Sequence, residues 1–130
     1  MTRITPHILP EESYVCMRLL TAGCRRKGKH VYLAFRILLN NISQNTVRLK
    51  GRKWRIREAN GAIFSIEGED VFNVQPLLRP GEVFFYTGIR RFTSPPVGME
   101  LRYFGLNHLS APFMTPAFVF PKEAISVPGL

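Results

Sequence analysis

The sequence predicts an all-β fold, an antiparallel sandwich or small barrel of seven to eight short strands. Three observations carry this. Helical periodicity is weak along the whole chain. Ten prolines and ten glycines cut the 130 residues into short pieces. Between them stand runs of Val, Ile, Phe, Tyr and Leu, many alternating with polar residues.

The first strand is expected over residues 14–21, after a shorter one near residues 7–9. The second, over residues 30–40, alternates well: Val31, Leu33, Phe35, Ile37 and Leu39 share one face, while Arg36 and Asn40 take the other. A third strand covers residues 47–58. Asn60-Gly61 then reads as a type I′ hairpin turn leading into a strand over residues 62–67. Pro80-Gly81 suits the middle of a type II turn before a strand over residues 82–92. Strands over residues 99–107 and 113–120 complete the set. The expected core includes Leu33, Phe35, Ile37, Trp54, Ile56, Phe85 and Tyr103. There is no internal repeat or linker, so residues 1–130 form one domain, with residues 1–6 and 126–130 expected to fray.

Composition limits the function. At 45% apolar and 12% aromatic residues the chain is built for a core. Its apolar runs are too short to span a membrane, and the N-terminus lacks the pattern of a signal peptide. A cytoplasmic protein is expected. Cys16 and Cys24 would stand about 26 Å apart on a continuous strand, against the ~5.5 Å of a disulfide, and are expected as free thiols. The net charge of +9 favours an anionic partner.

That charge is concentrated. Residues 47–58 carry Arg48, Lys50, Arg52, Lys53, Arg55 and Arg57. Their apolar neighbours change parity, since Val47 and Leu49 are odd whereas Trp54 and Ile56 are even. A regular strand cannot bury all four. A β-bulge near Gly51-Arg52-Lys53 repairs the pattern, with Gly51 accepting unusual backbone angles. Trp54 then lies in the core while Arg48, Lys50, Arg55 and Arg57 share an outer face. A second basic cluster, Arg25, Arg26, Lys27 and Lys29, is expected as a loop tip able to meet phosphate.

No chemistry stands out. His7, His30 and His108 are far apart and lack ligand spacing. Glu67, Glu69 and Asp70 flank Gly68 without a complete calcium-loop pattern, and no nucleophile sits in an activating motif. No catalytic residue, metal site or cofactor is expected.

The order of several short motifs resembles the ApaG family over nearly the whole chain. They are Gly51-Arg52-x-Trp54, Ala59-Asn60-Gly61, Gln75-Pro76, Pro80-Gly81-Glu82 with Tyr86-Thr87, Met99 with Tyr103, and Pro116, Phe118 and Pro121. The family's Gly-x-Gly-x-x-Gly loop is altered here to Gly68-Glu69-Asp70-Val71-Phe72-Asn73, so Asp70 and Asn73 stand at glycine positions. The resemblance implies an immunoglobulin- or fibronectin-III-like β-sandwich. It also implies a non-enzymatic binding module, linked in bacteria to cobalt tolerance and magnesium efflux. The function expected first is protein–protein interaction through a sheet face or edge, with a homodimer as one form. The rival is a nucleotide, pyrophosphate or nucleic-acid binder using the basic strand.

Overall fold

The computed structural model describes residues 14–71 and 73–128. The strand expected near residues 7–9 lies outside them. In chain order the strands are β1 (Val15–Lys27), β2 (His30–Asn41), β3 (Val47–Glu58), β4 (Ile63–Gly68), β5 (Leu77–Leu78) and β6 (Val83–Phe92), followed by β7 (Pro96–Leu106), β8 (Pro112–Met114) and β9 (Phe118–Val119). A single turn, α1 (Lys122–Ile125), follows. One sheet has the order β1-β2-β6; the other runs β4-β3-β7-β8, with β5 on β3 and β9 on β7. The strand pairings are antiparallel. The protein is an all-β sandwich.

The alternation of β2 is the clearest link from sequence to fold. Val31, Leu33, Phe35, Ile37 and Leu39 are all buried. Across the sandwich they meet Trp54 and Ile56 of β3 and Met99, Leu101 and Tyr103 of β7. The ring of Phe35 stands 5.6 Å from that of Trp54, edge to face, and Trp54 is 5.7 Å from Phe120. Trp54 is 1% exposed. Phe85 departs from the expected core: it is 57% exposed. Phe84 and Tyr86 take the inner face of β6, because their parity matches buried Phe92 and a strand cannot bury both parities. Ile125 and Val127 are buried too, so the chain packs closer to its end than a tail of Val127-Pro128-Gly129-Leu130 predicts.

Two turns differ in what the sequence foretold. Pro80-Gly81 is the expected type II turn: Gly81 has φ +82°, and the amide of Glu82 donates to the carbonyl of Arg79 at 2.9 Å. Asn60-Gly61 does not form a type I′ turn. Only Gly61 has positive φ, at +93°, and its amide donates to the carbonyl of Glu58. Asn60 instead accepts a hydrogen bond from the amide of Ala62 through its side chain. The pair thus sits in a longer connection ending on a left-handed glycine, the usual alternative when the loop exceeds two residues.

β3 has a bulge, but it lies just before the expected Gly51-Arg52-Lys53, through which the ladder with β7 runs unbroken. The pairing with β7 shifts between Leu49 and Gly51, leaving Lys50 as the extra residue. Leu49 and Trp54 are thereby both buried despite their opposite parity. Gly51 serves here by its size, not by unusual backbone angles. A β-carbon on it would fall 2.1 Å from the carbonyl oxygen of Gly68 and 2.4 Å from the Phe104 ring.

Candidate functional site

The six cations of β3 do not act as one group. Arg48, Lys53, Arg55 and Arg57 are exposed, whereas Lys50 and Arg52 are half-buried. On the outer face, Lys53 stands opposite Glu67 of β4 and Arg55 opposite Glu100 of β7. Cross-strand carboxylates thus interrupt the positive field that the sequence leads one to expect there. A shallow depression of about 550 Å³ remains on this face, lined by Lys53, Arg55, Arg102, Ser65 and Glu100. Farther along, the Arg57 guanidinium packs over Gly98.

At the bulge, Arg48 and Lys50 are tied to the segment after β4. The Arg48 guanidinium donates to the carbonyl of Gln75 at 3.0 Å. The Gln75 amide donates both to the carbonyl of Lys50, at 3.2 Å, and to that of Glu69, at 2.6 Å. Gln75 therefore staples the altered glycine loop to the bulge, a role its motif did not reveal. Within the loop Asn73 adopts φ +60°, and its amide donates to the Asp70 carboxylate at 3.2 Å. Asn tolerates this backbone better than most residues, so it takes a conformation that suits a glycine. Gly68 closes β4 opposite Arg52.

Arg52 turns inward, where the motif residues converge. Its guanidinium lies 5.4 Å from the centre of the Tyr86 ring and donates to the Tyr86 hydroxyl at 3.3 Å. That hydroxyl is 2.5 Å from the hydroxyl of Tyr103 in the opposite sheet. Burial raises the pKa of both phenols; at Tyr103 the Tyr86 neighbour raises it further, while at Tyr86 the hydrogen bonds with Tyr103 and Arg52 oppose the rise. Arg90 of β6 enters from the other side and lies 5.0 Å from the centre of the Trp54 ring.

The second basic cluster is not a loop. β1 runs to Lys27 and pairs with β2 as far as His30, leaving Gly28-Lys29 as a two-residue turn with Gly28 at φ +62°. Arg25 pairs with Tyr32, and Arg26 pairs with Val31 and so falls on the other face. β1 runs past the end expected at Thr21 because it contains a second bulge. The β1–β2 register shifts between Leu19 and Thr21, so Val15, Met17 and Leu19 face inward, as do Ala22 and Cys24 after it.

That extension builds a surface. The outer face of β1-β2-β6 carries Tyr32, Ala34, Arg36, Phe85, Thr87 and Ile89. Ile89 is 72% exposed and Val83 51%, and the Arg36 guanidinium sits 5.9 Å from the centre of the Phe85 ring. A groove of about 980 Å³ runs along it, lined by Arg25, Tyr32, Ala34, Arg36, Thr87 and Ile89. None of the three strands contains an Asp or Glu.

Other chemistry is sparse. Cys16 and Cys24 are free, the first exposed and the second buried, and burial pushes the Cys24 thiol up to about 11. His30 lies 6.4 Å from the Tyr32 ring, and His108 is exposed. Among the described residues no group of three or more His, Cys, Asp or Glu could hold a metal ion. No helix among them is long and apolar enough to cross a membrane.

These surfaces define a small β-sandwich with a cation-rich face and an aromatic seam. Residues 23–104 match the family model described as the ApaG domain, and the chain belongs to that family. It is 34% identical over 97 residues to Protein ApaG of Yersinia pestis (strain Pestoides F), covering 75% of each chain. The same figures hold for Protein ApaG of Yersinia pseudotuberculosis (serotype O:1b, strain IP 31758). Among solved structures, the putative ApaA protein of Bordetella pertussis superposes with a TM-score of 0.72 at 20% identity, covering 89% of this chain and 95% of that one. A Northeast Structural Genomics Consortium target superposes with a TM-score of 0.75 at 19% identity, covering 90% and 89%. Those two likenesses concern the fold.

Proposed function

We propose that this chain is a non-enzymatic binding module that receives an acidic, extended protein segment on the outer face of β1-β2-β6. One observation carries the reading: the groove joins exposed Ile89 and Ala34 and half-buried Tyr32 to Arg25 and Arg36, on strands that hold no carboxylate. An apolar floor supplies area, and the cations select the sign of the partner. A second copy of the same face is a poor match, since it would set like charges against each other. The strand order β1-β2-β6 over β4-β3-β7-β8 supports a fibronectin-III-like arrangement of the sandwich. Such folds use faces and edges for contact. A role in cobalt or magnesium homeostasis is then indirect, exerted through the partner, and the setting is cytoplasmic.

A peptide-display selection on the immobilised protein tests this. Enriched sequences should be acidic with apolar residues at alternate positions. They should lose binding to Ile89→Glu and keep it with Arg55→Glu. Enrichment of sequences without acidic residues, or binding that survives Ile89→Glu, would overturn the reading.

A second reading, a nucleotide, pyrophosphate or nucleic-acid contact on the β3 face, draws on the depression between Lys53, Arg55 and Arg102. It predicts a steep loss of oligonucleotide affinity with salt through counterion release. Glu67 and Glu100 on the same face weigh against it.

A further inference from the structure

Arg52 and Arg90 approach each other from opposite sheets, and each reaches an aromatic ring of the other sheet. Arg52 of β3 lies on Tyr86 of β6, and Arg90 of β6 lies on Trp54 of β3. Both arginines are half-buried. Burial, and then the positive charge of Arg52, both act against the charged form of Arg90. Among the described residues neither guanidinium has a carboxylate partner, and the Arg90 guanidinium makes no hydrogen bond. Charges taken out of water are normally paired. Two like charges left together between sheets are the reverse of that rule, and among the described residues no counter-ion answers them.

We propose that Arg52 and Arg90 together hold a phosphate-type dianion at the seam beside Trp54, a site separate from the outward face of β3 and from the β1-β2-β6 groove. A guanidinium stacked on a ring keeps its N–H edge free for bidentate contact with an oxyanion. Among the described residues none of the five Arg90 donors is engaged, and Arg52 spends one on the Tyr86 hydroxyl. A dianion balances two cations, whereas a single carboxylate leaves one unanswered. Tyr103 holds the Tyr86 hydroxyl in place from the far side, so Arg52 is positioned before any ligand arrives. The anion can be free phosphate or the terminal phosphate of a larger molecule.

Trp54 is the single tryptophan, and Arg90 lies on its ring, so its fluorescence reports the site directly. Inorganic phosphate titrated into the full chain, at ionic strength held constant with sodium chloride, should give a saturable change. Arg52→Gln and Arg90→Gln should each weaken binding about tenfold or more, the loss of charge-assisted hydrogen bonds. Lys53→Gln and Arg55→Gln should stay within about twofold. Phosphate should also raise the melting temperature of the parent but not of Arg90→Gln, whose phosphate-free melting point should not fall, because a like-charge contact is gone. Arg90→Lys, which keeps the charge and loses the planar fork, should bind more weakly than the parent. A parallel ADP titration separates the sources: tighter binding than phosphate assigns a terminal phosphate, weaker binding a free anion. No saturable response, or an equal loss in Lys53→Gln, would overturn the proposal.

Discussion

The hydroxyls of Tyr86 and Tyr103 meet at 2.5 Å although the two residues belong to different sheets. Tyr103 is fully buried and Tyr86 nearly so, so this contact locks the sandwich from within. Arg52 extends it toward solvent.

The two phenylalanine substitutions should differ. Tyr103→Phe leaves the Tyr86 hydroxyl with Arg52 and should cost about 1 kcal/mol. Tyr86→Phe strands the buried Tyr103 hydroxyl and removes the acceptor of Arg52; it should cost about 2–3 kcal/mol. The double variant should be more stable than Tyr86→Phe alone, since the second change removes the hydroxyl that the first leaves orphaned. Urea unfolding of the three variants measures this.

Gly51→Ala places a β-carbon against the Gly68 carbonyl and the Phe104 ring. Backbone cannot yield cheaply, so a loss of at least about 3 kcal/mol is expected. Gly23→Ala meets nothing within 4 Å and should change stability by less than about 0.5 kcal/mol. Equal thermal melts for the two variants would contradict the bulge geometry.

Trp54→Ala should cost about 3–5 kcal/mol, whereas Phe85→Ala, on the open face, should cost less than about 1 kcal/mol yet weaken capture of the acidic segment. Denaturation and peptide binding, measured on the same samples, separate the two roles.

Alkaline pH should destabilise the fold. Cys24 is raised from its ordinary 9.0 to about 11, and Tyr86 and Tyr103 are raised as well. The unfolded chain therefore releases these protons first. Their contribution is complete below the unfolded values and fades as pH rises, between about 9 and about 11 for Cys24. Unfolding followed across that window should show falling stability. At pH 8 a thiol reagent should modify exposed Cys16 well before Cys24.

Much of this was legible in the sequence because burial imposes parity. The β2 alternation located one core face, and the shift between Leu49 and Trp54 located the β3 bulge. The same logic in β1, where inward residues pass from Val15, Met17 and Leu19 to Ala22 and Cys24, foretells its bulge as well. That signal was hidden because Ala22 is small and the basic residues beyond it read as a loop. Phe85 misled because three aromatic residues in a row, Phe84 to Tyr86, cannot all face inward. The seam was least legible of all. Arg52 sits in a recognisable motif, but nothing in the spacing brings Arg90, some forty residues later, onto the Trp54 ring. Only the packing of two sheets does.

The central claim is that the β1-β2-β6 face is the contact surface, and mapping amide chemical shifts on addition of a selected acidic peptide tests it most directly. Shifts should cluster on Arg25, Tyr32, Ala34, Arg36, Thr87 and Ile89. Shifts centred instead on Lys53, Arg55, Ser65 and Arg102 would contradict it.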